Sequence, residues 1–397
     1  MTTKLPLRKL SVTNTFLLTP SHNKNLINVL AAKVIALQGP AASGKPCLKL
    51  LWMPVFVRRL FLGLVLALPL GPACAAPPHY ALPYPERPVA LLRPGGATYL
   101  VTEHSVLRLE GRRLVPRFHS DVAIRCALVA DTALLLGTQQ GVVRLGTATF
   151  RPHGLGLPGP DARPSISALF RDAVGALWVG TDGYGAFRQT GGGFRTELSV
   201  PAISDGAATA DSAVWLATNT GLYRQQHGTW TRFNEEGVAN HEIPDNLVER
   251  LLPDQRGNLW VLMSEGVTVF DTRPRRPAAA SAELPTATFI GRPGNTVSGL
   301  AYLRGQGYLF ATATGLLLLP AAPTAPLGRP VSTTDRVEPR RALLPLPAPG
   351  GPVVLLQPGP HRRLWLVSNS EITVLSECAA RRQVRAQGRA PAGRAAL

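Results

Sequence analysis

Apolar residues along this chain come in short runs cut off by Asp and Gly. The stretch 167–188 reads S-A-L-F-R-D-A-V-G-A-L-W-V-G-T-D-G-Y-G-A-F-R. Its apolar runs at 168–170, 177–181 and 186–188 are separated by Asp172-x-x-Gly175 and Asp182-Gly183. Runs so short and so punctuated predict the strands of an antiparallel meander, and no helical period persists through the body of the chain.

The pattern returns along the chain. Copies of L-W-V-G-T (177–181) stand at 214–218 (V-W-L-A-T), 259–262 (L-W-V-L) and 364–367 (L-W-L-V). Weaker copies occupy 98–102 (T-Y-L-V-T), 134–138 (L-L-L-G-T) and 308–312 (Y-L-F-A-T). A second apolar run follows a turn at 141–144, 221–224, 266–269 and 315–317, and a third closes several units at 114–118, 194–196 and 229–233. With the run before each Trp as a fourth strand, units of about forty residues are propeller blades. The expected fold is therefore all-β: a single β-propeller of seven four-stranded antiparallel blades over 80–376. Trp178, Trp215, Trp260 and Trp365 share one repeat position, which predicts packing between neighbouring blades rather than ligand stacking.

An open ring would leave a bare sheet edge. The seventh unit has runs at 353–356, 364–367 and 372–375 but no outer strand. The extended stretch 80–84 is expected to cross from the start of the chain and fill that place; a truncated gene product is the competing account. Gly154, Gly156, Pro158, Gly159 and Pro160 read as an inter-blade loop. The Pro- and Ala-rich stretch 320–351 reads as partly disordered or as an excursion from the sixth blade.

The net charge of +18 on 397 residues suggests a nucleic-acid partner until it is located. Residues 1–85 hold six Lys and three Arg without an acid, and the tail after Glu377 holds five Arg without one, which leaves +4 for the body. A phosphate-binding stripe belongs on the folded domain, so nucleic acid is excluded as a partner. The tail 377–397, rich in Ala and Arg, is expected to be disordered.

All six lysines fall within the first fifty residues, marking residues 1–52 as foreign to the rest. From Met53 the chain reads M-P-V-F-V-R-R-L-F-L-G-L-V-L-A-L-P-L-G-P-A-C-A-A. Arg58 and Arg59, an apolar segment at 60–70 and Ala73-Cys74-Ala75 form the three parts of a secretory signal peptide at 53–75. The apolar segment is too short to span a bilayer. Translation is thus expected to start at Met53, giving an exported product with no membrane span in its mature part. Cys74 leaves a lipoprotein as an alternative. Within residues 1–52, Gly39–Pro46 matches G-x-x-x-x-G-K, yet Pro46 takes the place of the Ser or Thr that ligates magnesium, so no nucleotide is expected. Cys126 and Cys378 are expected to remain unpaired.

Enzyme chemistry has little footing. His104, His119, His153, His227, His241 and His361 lack metal-ligand spacing, and no nucleophile elbow occurs. Asp205, Glu235, Glu236, Glu242, Asp245 and Glu249 scatter over loops and strand ends. The Asp-x-x-Gly turns at 172–175 and 254–257 offer one carboxylate each, which is an Asx turn and not a calcium loop. No catalytic, cofactor-binding or metal residue is assigned, and no cofactor is expected.

The units 172–188, 254–270 and 213–224, with the lead-in I-P-D-N-L-V-E-R-L-L-P at 243–253, resemble two-component regulator propeller repeats. The resemblance extends over most of 85–376. It implies the exported sensor part of a bacterial hybrid histidine kinase, which binds a carbohydrate-derived signal and passes it through a β-sandwich and a membrane helix. No pattern for a sandwich, membrane span, phosphoacceptor helix or ATP-binding domain follows residue 376. The expectation is a non-catalytic, periplasmic or otherwise exported ligand-binding or sensor propeller. Its partner would be a carbohydrate-derived or other small ligand at one face. The alternative is an interaction scaffold in an envelope complex, since similar repeats occur in a propeller component of type IX secretion and, more distantly, in streptogramin-lyase-like propellers.

Overall fold

A computed structural model describes residues 78–159, 163–236, 243–264, 266–274, 286–290, 297–312, 315–320, 344–346 and 352–380. The expectations for 1–52 and 53–75, and for most of the stretches 320–351 and 377–397, lie outside them. The strands form seven four-stranded sheets, each an antiparallel meander of neighbours in sequence, with one exception. The third blade shows the rule: Ile166–Arg171, Leu177–Thr181, Ala186–Thr190 and Gly193–Leu198 pair in order. Its second strand is buried at every position because both its faces lie under neighbouring blades, whereas no residue of its outer strand is buried.

The exception closes the ring. His79–Ala81 pairs antiparallel with Glu371–Ser376, matching His79 to Thr373, Tyr80 to Ile372 and Ala81 to Glu371. The Leu82 amide also donates to the Ser370 carbonyl at 2.8 Å, and the Val374 amide to the Pro78 carbonyl at 3.1 Å. The seventh blade is thus Leu355–Gly359, Arg363–Val367 and Glu371–Ser376 completed by the first strand of the chain. The expected crossing is present, although the paired segment begins one residue earlier and ends at Ala81.

Two outer strands depart from expectation. Pro152–Leu155 is the outer strand of the second blade, where Gly154 had suggested a loop. Leu344–Leu346 is the outer strand of the sixth, lying inside the Pro- and Ala-rich stretch. Outer strands face solvent on one side and need little apolar content, so composition conceals them. Residues 377–380 form a helical turn.

The buried apolar residues divide into seven clusters, and each cluster spans one seam between consecutive blades. Trp178 packs in the seam of blades three and four, Trp215 in four–five, Trp260 in five–six and Trp365 in seven–one. Small residues in the second strands let the seams close. A Cβ on Gly180 would stand 2.6 Å from Ile203 Cγ2 of the next blade, and one on Gly137 2.7 Å from Ile166 Cγ2.

The expected Asx turns hold more than their own backbone. Asp172 accepts from the Val174 and Ala176 amides, and its other oxygen takes the Trp178 indole N–H at 3.0 Å and Arg188 Nε at 2.8 Å. Asp254 likewise accepts from Trp260 at 3.0 Å and from the Tyr308 hydroxyl of the next blade at 2.8 Å. In blade four, Thr209 accepts the Trp215 indole at 2.9 Å and donates in turn to Asp211, which pairs with Arg224.

Candidate functional site

Each innermost strand starts on the face that also carries the turns between second and third strands. Those turns share one device. Thr102, Thr138, Thr181, Thr218, Thr312 and Ser368 donate their hydroxyls across the turn to the carbonyls of residues 105, 141, 185, 221, 315 and 371, at 2.6 to 3.2 Å. Four of these turns end on a Gly of positive φ: Gly141, Gly185, Gly221 and Gly315. A Cβ at Gly221 would meet the Phe233 carbonyl oxygen at 2.4 Å, which explains the glycine there.

The first and seventh blades break the pattern, with Ser105 and Glu371 in the glycine's place. The Ser105 hydroxyl accepts from Tyr84 at 3.0 Å, donates to Glu86 Oε1 at 3.2 Å and lies 3.4 Å from His119 Nδ1. Glu86 Oε2 lies against the Thr102 hydroxyl and accepts, at 3.4 Å, from the His104 amide. The rings of His104 and His119 stand 6.2 Å apart. Serine, histidine and carboxylate meet here, but the carboxylate binds the serine and not the imidazole. Ser105 is also 0% exposed, which denies a substrate carbon access to its oxygen. A nucleophile needs a base oriented by its own partner and a place for the reacting atom. This cluster has neither, and it ties Tyr84 and Glu86, just before the first blade, to that blade's turn.

Around the axis, the innermost strands of blades one to six carry a register shift near their first residues, around Val89, Arg125, Ser167, Ser204, Glu249 and Ser298. A bulge re-aims side chains, and here several reach the next blade. Arg125 Nη1 donates to Ser165 Oγ at 2.8 Å and lies 3.5 Å from Asp182. Asp205 accepts from the Leu251 amide at 2.9 Å and the Gly206 amide at 2.8 Å. Arg250 donates to the Ser298 carbonyl at 2.8 Å, and Ser298 donates to the Val353 carbonyl at 2.9 Å. Burial pushes the Asp205 carboxyl above its ordinary range, against the two amides and Arg250, which favour the charged form. Burial also raises the Cys126 thiol, Asp205 adding to the shift and Arg125 opposing it. Such a thiol stays protonated and is a poor nucleophile.

Of the residues singled out from sequence, Asp205 and Glu249 lie on innermost strands, and His104 and His119 come together. Asp245 binds Ser264, Glu236 binds Asn234, and the Glu235 amide binds Asn246. His153 is on an outer strand, while His227 and His361 adopt positive φ; His241 and Glu242 lie outside the described residues. Among the described residues no three His, Cys, Asp or Glu side chains gather as metal ligands, and no helix is long and apolar enough to cross a membrane. Cys126 and Cys378 are free thiols. The Glu86–Ser105 cluster escaped the sequence reading; its signal was T-E-H-S at 102–105, where three other units have T-x-x-G, at 138–141, 218–221 and 312–315. Two large apolar side chains, Tyr184 at 40% and Leu247 at 44% exposure, also belong to the loops of this face.

A ring of seven four-stranded blades defines the molecule as a seven-bladed β-propeller. Among solved structures it is similar to the extracellular domain assigned to the hybrid two component system BT4673 from B. thetaiotaomicron, with TM-score 0.55 and 17% identity over 74% of this chain and 39% of that one. The corresponding domain of BT3049 from the same organism gives TM-score 0.53 and 12% identity over 73% and 40%. Streptogramin B lyase gives TM-score 0.54 and 13% identity over 75% and 95%. The chain therefore spans about two fifths of the two-component structures it matches. No family model and no curated sequence matches it.

Proposed function

We propose that the protein is the ligand-binding propeller of an exported, two-component type sensor, acting by capture and not by catalysis. The observation that carries this reading is the face built from the innermost-strand bulges. A rigid ring there presents Arg125 at 3.5 Å from Asp182, the exposed Tyr184 on the same turn as Asp182, and Leu247 on the loop before the fifth blade. Loops on a rigid scaffold are where binding residues are found, and an exposed aromatic on the same face as an Arg–Asp pair suits the apolar face and hydroxyls of a sugar. The likeness to extracellular domains of two-component systems and the signal-peptide pattern at 53–75 support the same reading.

The test is a thermal-shift screen of the secreted ring against mono- and oligosaccharides, repeated on Tyr184→Ala. A ligand that prefers the native state must raise the melting temperature. The reading predicts a saturable rise with at least one saccharide, lost in Tyr184→Ala while the unliganded melting temperature is kept. Silence across the screen, with an envelope protein retained on the immobilised ring, would replace it by the scaffold reading. N-terminal sequencing of the secreted protein should begin at Ala76.

A further inference from the structure

The two faces of the ring differ in charge. On the bulged face the acids, Glu103, Asp121, Asp182, Glu235, Glu236 and Asp245 among them, outnumber the arginines. The opposite face carries the turns between first and second strands, and there the acids are mostly engaged within the fold. Asp211 and Asp271 pair with Arg224 and Arg273, with side chains only 9 and 7% exposed. Asp172 is held by Trp178 and Arg188, and Asp254 by Trp260 and Tyr308.

The arginines at the tips of that face are not engaged in this way. Arg256, Arg304 and the pair Arg362 and Arg363 stand at the first-to-second strand turns of blades five, six and seven, and all are exposed. Contacts tie these tips into one arc. Arg256 lies over Tyr302 of blade six at 4.5 Å, and the Arg304 amide donates to Glu377, just past blade seven, at 3.2 Å. Among the described residues the Arg304, Arg362 and Arg363 side chains pair with no acid.

Blade seven holds its charge on a strained turn. Pro94–Gly96 in blade one and Pro360–Arg362 in blade seven are matching single turns of 3-10 helix. Blade one puts Gly95 and Gly96 in the left-handed positions, at φ of 54° and 83°, whereas blade seven puts His361 and Arg362 there, at 56° and 55°. Side chains kept where glycine fits better point to a task outside the fold.

Both ends of the ring also lead to this face. His79–Ala81 runs toward the bulged face, so the chain enters from the basic one, and Glu371–Ser376 returns there to the helical turn 377–380. The sequence after residue 380 adds five Arg and no acid. The apolar segment of the leader expected at 53–75 ends at Leu70, eight residues before Pro78, a reach of about 28 Å at full extension. The basic face is therefore the one turned toward a membrane that holds the leader.

We propose that this face is a docking surface for an anionic lipid bilayer, with the arginine tips of blades five to seven against the headgroups and the bulged face turned outward. Each Arg near such a surface adds attraction, which fades within a Debye length. No ligand on the bulged face is required, so the proposal can fail without the sensor reading, and the reverse.

The experiment is co-sedimentation of the whole secreted protein with vesicles of phosphatidylglycerol and phosphatidylcholine in equal parts, and with phosphatidylcholine alone. Binding is predicted to the anionic vesicles only, lost as salt rises from about 0.1 to about 1 M and the Debye length falls from about 10 to about 3 Å. Arg304→Glu with Arg363→Glu should weaken it by about thirtyfold or more, the effect of two surface-bound arginines. Arg87→Glu with Arg232→Glu, the same charge change on the bulged face, should alter it by less than about threefold. Arg362→Gly should weaken binding by about fivefold without lowering the melting temperature, because it also relieves the turn. Equal binding to both kinds of vesicle, or to neither, overturns the proposal. So does undiminished binding in the folded Arg304 and Arg363 variant, or an equal loss in the Arg87 and Arg232 control. Capture of soluble polyglutamate without vesicle binding overturns it in favour of an acidic protein partner.

Discussion

At the scale of single residues, two half-buried aspartates respond oppositely to their surroundings. Burial alone would raise the Asp172 carboxyl, but the Trp178 indole, Arg188 and the Ala176 amide outweigh it, and the net shift is downward. A depressed folded-state pKa gives stability that is present above the unfolded value, near 3.8, and lost as pH falls through the folded one. Asp205, with its carboxyl raised, has the reverse sign: stability declines as pH rises from the unfolded value through the folded one. Chemical denaturation across acid pH should therefore show a shallower acid loss in Asp172→Asn than in wild type, and Asp205→Asn should remove a decline that wild type shows above pH 3.8. At neutral pH, Asp172→Ala should cost about 2 kcal/mol or more, because it strands an indole N–H and an Arg together. A cost under half of that would show that the carboxylate serves only its own turn.

At the scale of the strand, what the sequence displayed was whatever is buried on both sides. L-W-V-G-T and its copies are second strands with every residue buried, and such runs stand out in any apolar pattern. Outer strands such as Pro152–Leu155 and Leu344–Leu346 are short and carry Pro, so they resembled loops. The Asx turns were legible as turns, but their second task of holding a tryptophan six residues on was not, since the side-chain partner appears only once the meander folds. Glycines within the second strands were legible as part of a motif, and the cause lies across the seam. Gly180→Val should destabilise by about 2 kcal/mol through overpacking against Ile203. Equilibrium unfolding measures this, and a neutral result would mean that the seam can widen freely.

The whole molecule depends on joining its two ends. Seven seams each hold a separate apolar cluster, and the last of them, with Trp365 and Leu100, has Tyr80 of the crossing strand His79–Ala81 packed against it. Ring number and closure were legible from the repeat count and from the missing outer strand. The polar face was not, because six bulges and the bonds that cross between blades are products of assembly. Tyr80→Pro should lower global stability by about 3 kcal/mol, removing a ladder amide and the stacked ring together. Hydrogen exchange at the Val374 amide tests ring closure most directly, since that N–H is bonded to Pro78 of the closing segment and to nothing in its own blade's third-to-second strand ladder. The account predicts protection at Val374 equal to that of Leu366 in the buried second strand, falling to the rate of an open edge in Tyr80→Pro. Fast exchange at Val374 in the wild-type protein, with Leu366 still protected, would contradict a closed ring.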